Sequence, residues 1–171
     1  GKMEMAIEPV SAHDLIDGVA TVMRGTSAKK QIEIRIEGTS SLPTIEGDAI
    51  KLKQVFFNLI SNAVKFSPPG SLVRISARAA AATDSLLGTD SVEIAFIDRG
   101  IGIDEDDFEK IFQPFRQADS GIAHQFGGTG LGLALVRSYV RKHNGQVNLS
   151  STVGDGSTFR VLLPVSRRRR K

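Results

Sequence analysis

Hydrophobic and polar residues recur with two different periods along this chain, and each period predicts one kind of element. Apolar residues at steps of three and four predict helices, whereas alternating apolar and polar residues predict strands. The predicted helices cover residues 11–27, 48–66 and 130–143. The predicted strands cover residues 4–8, 32–37, 72–80, 91–97, 146–152 and 157–163.

Residues that favour turns and helix ends separate these elements. Ser11 and Asp48 precede two of the predicted helices, where their side chains can cap the first turn. Pro68-Pro69-Gly70 ends the second helix, and Gly154-Asp155-Gly156 predicts a hairpin between the last two strands. The order of elements predicts an α+β two-layer sandwich. In it, a mixed, mostly antiparallel sheet of about five strands is covered by three helices.

Composition excludes several classes of site. The 171 residues are 40% hydrophobic and 24% charged, as in an ordinary globular domain, and the absence of cysteine excludes disulfides and thiolate chemistry. The three histidines, His13, His124 and His143, lack metal-ligand spacing and are expected to pack or lie at the surface. Removing the five basic residues 167–171 changes the net charge from +3 to −2, so the basic character belongs to a tail.

The predicted helix 48–66 carries an unusual polar stripe. Asn58, Asn62 and Lys65 follow one another at steps of four and three and therefore share one side of the helix. A solvated face more often carries Glu and Lys, whereas amide oxygens suit Mg²⁺ and a lysine can contact phosphate. The stripe alone is compatible with both interpretations. The apolar side is predicted to consist of Ile50, Val55, Phe56, Leu59, Ile60 and Ala63.

A short glycine-rich segment follows the predicted strand 91–97. Asp98 stands at the strand end, and Gly100 and Gly102 allow the backbone to approach a flat ligand. A carboxylate can accept a hydrogen bond from an exocyclic amine, which adenine has and guanine lacks at that position. A turn that contains an aspartate fits this segment equally well.

A second glycine-rich segment runs directly into the predicted helix 130–143. Gly128, Gly130 and Gly132 can make room for phosphate, and the N–H groups at a helix start attract anions. The segment lacks the dinucleotide fingerprint, and the chain contains no Gly-Lys-Ser/Thr of a Walker motif. About 23 residues, 104–126, separate the two glycine segments, and a loop of this length is typical of a lid.

Taken in order, these segments resemble the histidine kinase catalytic domain, within the wider family of heat-shock chaperone, gyrase and mismatch-repair ATPases. The resemblance covers roughly residues 3–164, with motifs in the family's order and spacing. The matching segments are residues 58–66 for the N box, 98–103 for the first G box, 112–115 for the F box, 128–133 for the second G box and 154–159 for the closing strand motif.

The resemblance implies a site for ATP and Mg²⁺. On the N box it implies three catalytic residues: Asn62 as the metal ligand, Asn58 near the metal and the phosphates, and Lys65 as a phosphate contact. At the adenine it implies Asp98 as the reader of the amino group, with Thr158 helping to hold water. The other implied nucleotide-binding residues are Gly100, Gly102, Ile103, Phe112, Phe115, Arg116, Gly128, Thr129, Gly130, Leu131 and Gly132.

One position distinguishes branches of that family. In the hydrolysing relatives, a glutamate one turn before the metal asparagine acts as general base toward water. This chain has Asn58 there, and an amide cannot usefully accept a proton. The resemblance therefore implies transfer of the γ-phosphate to a protein histidine, catalysed mainly by positioning and charge neutralisation.

One departure keeps an alternative open. Similar kinases often have an arginine near the end of the lid, where this chain has His124 and Gln125, and Arg116 is the substitute that the lid offers. The alternative function is a degenerate nucleotide-binding module that acts through protein–protein contact. Nucleic-acid binding is not expected, because the body of the chain lacks interleaved aromatic and basic residues.

The resemblance also implies partners and a domain division. No His-Glu/Asp-x-x-x-Pro sequence occurs, so the phosphate acceptor is expected on a histidine-containing dimerisation domain of the same or a sister chain, with a response regulator receiver domain downstream. Residues 1–10 are expected to end the linker from that domain, residues 11–164 to form the ATP-binding catalytic domain, and residues 165–171 to form a basic tail. The domain is expected to be cytoplasmic without direct membrane contact, in a parent protein that can be membrane-anchored.

Overall fold

The computed structural model describes residues 4–113 and 132–166, and these contain seven strands and four helices. A 3₁₀ turn at Glu105–Asp107 precedes the third helix. The helices are α1 (Ala12–Lys29), α2 (Ala49–Phe66), α3 (Phe108–Ile111) and α4 (Gly132–Lys142). The strands are β1 (Glu8–Val10), β2 (Glu33–Glu37), β3 (Ile45–Gly47), β4 (Leu72–Ala80), β5 (Ser91–Asp98), β6 (Gln146–Thr152) and β7 (Gly156–Pro164).

The five longest strands form one sheet in the order β2-β4-β5-β7-β6. β2 is parallel to β4, and the other neighbouring pairs are antiparallel. The predicted mixed, mostly antiparallel five-stranded sheet is therefore confirmed. β2 is an edge strand, and the Arg24 Nη2 group donates a hydrogen bond of 3.3 Å to the Ile34 carbonyl.

The core lies between one face of this sheet and the helices. Successive side chains of a strand point to opposite faces, and Val92, Ile94 and Phe96 of β5 are all almost fully buried on the same face. The Phe56 ring of α2 lies 5.9 Å from the Phe96 ring, centroid to centroid. Burying each side chain of this size contributes about 1.5–3 kcal/mol. The predicted two-layer α+β arrangement is confirmed.

Side-chain caps fix the starts of α1 and α2, as predicted. The Ser11 Oγ accepts the Asp14 N–H at 3.1 Å, and the Asp48 Oδ1 accepts the Lys51 N–H at 3.1 Å. Burial raises the pKa of Asp48. Hydrogen bonds from the Ala6 and Lys51 N–H groups and from the Lys51 ammonium outweigh that effect and lower the pKa to about 2.

The N-terminal strand lies later in the chain than predicted. The Ala6 N–H donates to the Asp48 Oδ2 at 3.0 Å, which places residue 6 at the start of α2. The observed strand β1 begins at Glu8 and pairs with β3, which was not predicted. These two strands are three residues long, too short for an alternating pattern to identify them.

One residue of the predicted apolar side of α2 was placed wrongly. Ile50 is 81% exposed, whereas Leu52 is fully buried. The two residues are about 200° apart around the helix, so only one of them can face the sheet.

The helix boundaries also differ in places. α1 continues to Lys29, beyond the predicted end at residue 27. The predicted loop 104–126 begins with the 3₁₀ turn and α3, which makes α3 a fourth helix. Within the described residues α4 begins at Gly132 and ends at Lys142.

His143 is a buried packing residue, as expected. Its Nε2 accepts the Asp48 N–H at 3.0 Å, and its Nδ1–H donates to the Tyr139 carbonyl at 2.6 Å. The imidazole therefore joins the end of α4 to the start of α2. Burial lowers the pKa of His143. His13 is partly buried, and its Nδ1 lies 2.7 Å from the Oγ1 of the buried Thr39. His124 lies outside the described residues.

Candidate functional site

The polar stripe of α2 borders the buried side of the helix. Asn58, Asn62 and Lys65 are all partly buried, and seven residues of helix separate the first from the last. With a rise of about 1.5 Å per residue, the stripe extends over about 10 Å. It therefore forms a continuous polar line next to the core.

The structure brings this stripe to the start of α4. The Asn58 Nδ2 donates a long hydrogen bond of 3.4 Å to the Gly132 carbonyl. A Cβ on Gly132 would lie 3.9 Å from the Asn58 Cγ, an ordinary contact distance, so nothing nearby in the described chain requires glycine at position 132. We call Asn58, Asn62, Lys65 and Gly132 the amide end of the site.

Asp98 lies at the end of β5 and is 7% exposed. Its Oδ1 accepts the Gly100 N–H at 2.9 Å and the Ser157 N–H at 3.3 Å. Within residues 4–113 and 132–166, both hydrogen bonds to this carboxylate go to Oδ1. Burial raises the pKa of Asp98, and the two backbone hydrogen bonds act in the opposite direction. Its Oδ2 therefore has acceptor capacity for a further donor.

Gly100 and Gly102 are required by the packing of the protein itself. A Cβ on Gly100 would lie 2.3 Å from the Phe66 carbonyl oxygen, and a Cβ on Gly102 would lie 2.1 Å from the Thr152 oxygen. Gly102 also has a φ of +75°, which side chains rarely adopt. The packing of the protein is a reason for these glycines that the sequence did not reveal. Their close approach to a ligand stays a prediction.

The register of β5 and β7 determines which β7 residue lies opposite Asp98. Thr158 pairs with Ile97, whereas Ser157 pairs with Asp98. Since alternate residues point to opposite faces, Ser157 shares the Asp98 face and Thr158 does not. Ser157 is therefore the β7 residue beside this carboxylate. The sequence analysis missed it, because the cross-strand register determines which of the two neighbours faces Asp98. We call Asp98, Gly100, Gly102 and Ser157 the carboxylate end of the site.

The helix α2 joins the two ends. Gly132 contacts the helix at Asn58, and Gly100 of the carboxylate end packs against Phe66, eight residues later. This separation is about 12 Å along the helix axis. Asn62 and Lys65 lie between the two contacts, so α2 links the ends as one extended site.

Phe112 packs into the core beside the site. Its ring lies 6.1 Å from the Phe159 ring in an edge-on arrangement, and the Arg137 guanidinium lies 5.1 Å above its face. Arg137 also donates to the Glu109 carboxylate at 3.1 Å. These contacts fix α3 and Phe112 against α4 and β7.

Several predicted residues lie outside the described residues: Phe115, Arg116, Gly128, Thr129, Gly130 and Leu131. Ile103 is described, and its N–H donates to the Ser151 Oγ at 2.7 Å. Among the described residues, no group of three or more His, Cys, Asp and Glu side chains is arranged to hold a metal ion.

A family model describing "Histidine kinase-, DNA gyrase B-, and HSP90-like ATPase" matches residues 47–167. The autoinducer 2 sensor kinase/phosphatase LuxQ of Vibrio harveyi is 35% identical over 99% of this chain and 20% of its own length. The chain thus spans about a fifth of the curated relatives that it matches.

Solved structures give the same fold. Full-length ShkA in complex with AMPPNP superposes with a TM-score of 0.81 at 31% identity, over 97% of this chain and 32% of that one. The mycobacterial sensor histidine kinase MprB superposes with a TM-score of 0.78 at 25% identity, over 94% of this chain and 98% of that one.

Proposed function

We propose that this chain, which belongs to the histidine kinase-, DNA gyrase B- and HSP90-like ATPase family, binds magnesium–ATP and supplies its γ-phosphate to a histidine on a separate domain. Several relatives that match this chain are named as sensor kinases, which supports a sensor histidine kinase as the parent protein.

The observation that supports this proposal most directly is the contact between Asn58 and Gly132. It places the amide-bearing helix against the start of α4, where backbone N–H groups favour anions. Phosphates bound there would lie beside Asn62 and Lys65. The ShkA structure with AMPPNP shows that a similar chain binds an ATP analogue.

The carboxylate end suits an adenine base. The Asp98 Oδ1 is held by two backbone N–H groups, and its Oδ2 can accept from an exocyclic amine. Guanine presents an oxygen in place of that amine, so a carboxylate would disfavour it. The roles of Gly100, Gly102 and Ile103 at the base follow from their place in the same segment.

The amide donors fit Mg²⁺. The Asn58 Nδ2 is directed to a carbonyl, which leaves the amide oxygen available, and Asn62 lies one turn further along the same side of α2. We assign Asn62 as the ligand and Asn58 as its neighbour. When bound, Mg²⁺ would neutralise phosphate charge. Lys65 would contribute a positive charge from the same stripe.

Asn58 favours transfer over hydrolysis. An amide at this position cannot remove a proton from water, whereas a histidine acceptor is itself a nucleophile. The γ-phosphate bond to the β-phosphate oxygen breaks as the bond to the imidazole nitrogen forms, and ADP leaves. This domain then contributes orientation and charge.

We further propose the partners implied above: a histidine-containing dimerisation domain of the same or a sister chain, and a response regulator receiver domain. Residues 1–10 would join the first of these to the catalytic domain of residues 11–164, and residues 165–171 would form a tail. We propose a cytoplasmic location. None of the described helices has the length and apolar character required to cross a bilayer.

Calorimetric titration with ATP, with and without Mg²⁺, tests binding. Transfer of radiolabelled γ-phosphate to a separately purified dimerisation domain tests the reaction, with a domain lacking the acceptor histidine as control. We expect magnesium-dependent binding and acid-labile labelling of the intact acceptor only. No binding at millimolar ATP would contradict the proposal. Binding without transfer would indicate the degenerate module, and phosphate release without an acceptor would indicate a hydrolase.

A further inference from the structure

We propose that Ser151 is a positioning residue for the carboxylate end, which fixes the hydroxyl hydrogen of Ser157 and the loop beside Asp98. The inference rests on the proposed function, in which this end holds the base. Ser151 lies on β6 and is not among the predicted site residues.

The Ser151 hydroxyl joins three separate groups. Its Oγ accepts the Ile103 N–H at 2.7 Å, donates to the Gly156 carbonyl at 2.8 Å, and lies 2.8 Å from the Ser157 Oγ. These groups belong to the loop after β5 and to the start of β7. One side chain therefore connects β6 to both segments that border Asp98.

The hydrogen count determines the direction of the serine–serine bond. A hydroxyl has one hydrogen and two acceptor lone pairs. The Gly156 carbonyl can only accept, so the Ser151 hydrogen is used there, and Ser157 must donate its own hydrogen to Ser151. The Ser157 oxygen is then left as an acceptor.

The carboxylate end therefore presents only hydrogen-bond acceptors to the proposed base. The Asp98 Oδ2 and the Ser157 oxygen both lack a hydrogen to offer, so they favour a base edge that donates, directly or through water. The Ser157 N–H also holds the Asp98 Oδ1 at 3.3 Å, so the position of Ser157 affects that carboxylate. Ser151 thus acts on nucleotide selectivity without touching the ligand.

The 99–103 loop depends on the same hairpin. The Gly154 N–H donates to the Ile101 carbonyl at 2.8 Å, and Gly102 packs against the Thr152 oxygen. The bond from Ile103 to Ser151 is the side-chain contribution to this connection. Its loss would leave the Ile103 N–H without that acceptor and loosen the loop.

The chain offers a matched control one residue away. Ser150 is on the same strand and is exposed, and its Oγ accepts from the Arg160 guanidinium at 3.3 Å. Because neighbouring strand residues point to opposite faces, Ser150→Ala removes the same hydroxyl from the other face of β6.

The first measurement needs no nucleotide. Hydrogen exchange of the Ile103 and Ser157 amides would be compared in wild type, Ser151→Ala, Ser151→Cys, Ser151→Thr and Ser150→Ala. We expect faster exchange in Ser151→Ala and Ser151→Cys, because alanine lacks the hydroxyl and a thiol is a weak hydrogen-bonding group. We expect wild-type exchange in Ser151→Thr and Ser150→Ala. Unchanged exchange in Ser151→Ala and Ser151→Cys would overturn the inference, whether or not the protein binds ATP.

The second measurement compares the dissociation constants of ATP, ADP and GTP. We expect Ser151→Ala to raise the dissociation constants of ATP and ADP by the same factor, about tenfold. We also expect it to reduce the preference for ATP over GTP. Ser151→Thr should restore both. A lower melting temperature with wild-type affinity and selectivity would show a purely structural role and overturn the inference. Failure of the wild-type protein to bind ATP would instead overturn the proposed function.

Discussion

The carboxylate end and the amide end are built differently. At the carboxylate end, backbone hydrogen bonds hold the Asp98 side chain. Gly100 and Gly102 pack so closely against other segments that an added Cβ would lie only 2.1–2.3 Å from backbone atoms. At the amide end, the described residues leave ordinary contact distances around Gly132, and the Asn58 Nδ2 donates one long hydrogen bond to its carbonyl.

The difference indicates where function and stability are separable. A substitution at the carboxylate end disturbs the connections between β5, β6 and β7, so stability and ligand binding should change together there. A substitution in the stripe of α2 alters partly exposed polar groups, so binding should change while the fold persists.

The largest expected effect is at the amide end. Asn62→Ala should abolish magnesium-dependent ATP binding and phosphate transfer, because it removes the proposed metal ligand, while alanine preserves the helix. Calorimetric titration with magnesium–ATP measures the loss, and the melting temperature should stay within a few degrees of wild type. Lys53→Ala, at an exposed position about 180° around the same helix from Asn62, is the control. Wild-type transfer by Asn62→Ala would show that the metal assignment is wrong.

A smaller effect is expected at the carboxylate end. Asp98→Asn should reduce the preference for ATP over GTP by about tenfold, since the amide replaces an acceptor by a donor at one position. The remaining amide oxygen can still accept from Gly100 and Ser157. The ratio of the two dissociation constants measures the effect. Equal selectivity in variant and wild type would exclude base reading by Asp98.

The smallest effect concerns the scaffold away from both ends, at His143. Burial lowers the pKa of His143 in the folded state below the ordinary value of 6.5, with the Asp48 carboxylate and the Lys51 ammonium as the nearby charges. The unfolded state then binds more protons, so stability should be complete above about pH 6.5 and should fall as the pH decreases below it.

Chemical denaturation between pH 5 and 8 would measure that dependence. His143→Asn should flatten it. The contribution of Asp48 lies in a separate range, because its pKa is about 2 and its stabilising effect is lost only as the pH falls below 3.8. If His143→Asn has the same dependence of stability on pH as wild type, His143 is not the cause of that dependence.

The three long helices and the five long strands were predictable from sequence because each repeats its period over several turns or pairs, whereas α3 has only four residues. β1 and β3 were not, since three residues carry too little alternation. Ile50 was misplaced because an apolar residue in a first turn does not reveal which way that turn faces.

The candidate site was predictable in part for a similar reason. Asn58 and Asn62 follow local helix spacing, and Gly132 follows from its motif, although their contact is tertiary. Ser157 and Ser151 depend on the register between strands that are distant in sequence, and serine is common in such strands. The packing role of Gly100 depends on Phe66, which belongs to a different element.

In the part of the chain that the structure describes, one edge of β2 is unpaired, and this affects how the chain can be handled. An unpaired strand edge offers backbone groups on which further chains can assemble into aggregates. Here the Arg24 guanidinium donates a hydrogen bond to the Ile34 carbonyl, and the strand carries the charged residues Glu33, Arg35 and Glu37. This edge is therefore poorly suited to sheet extension, which favours a chain that stays dispersed at the concentrations needed for titration and exchange measurements.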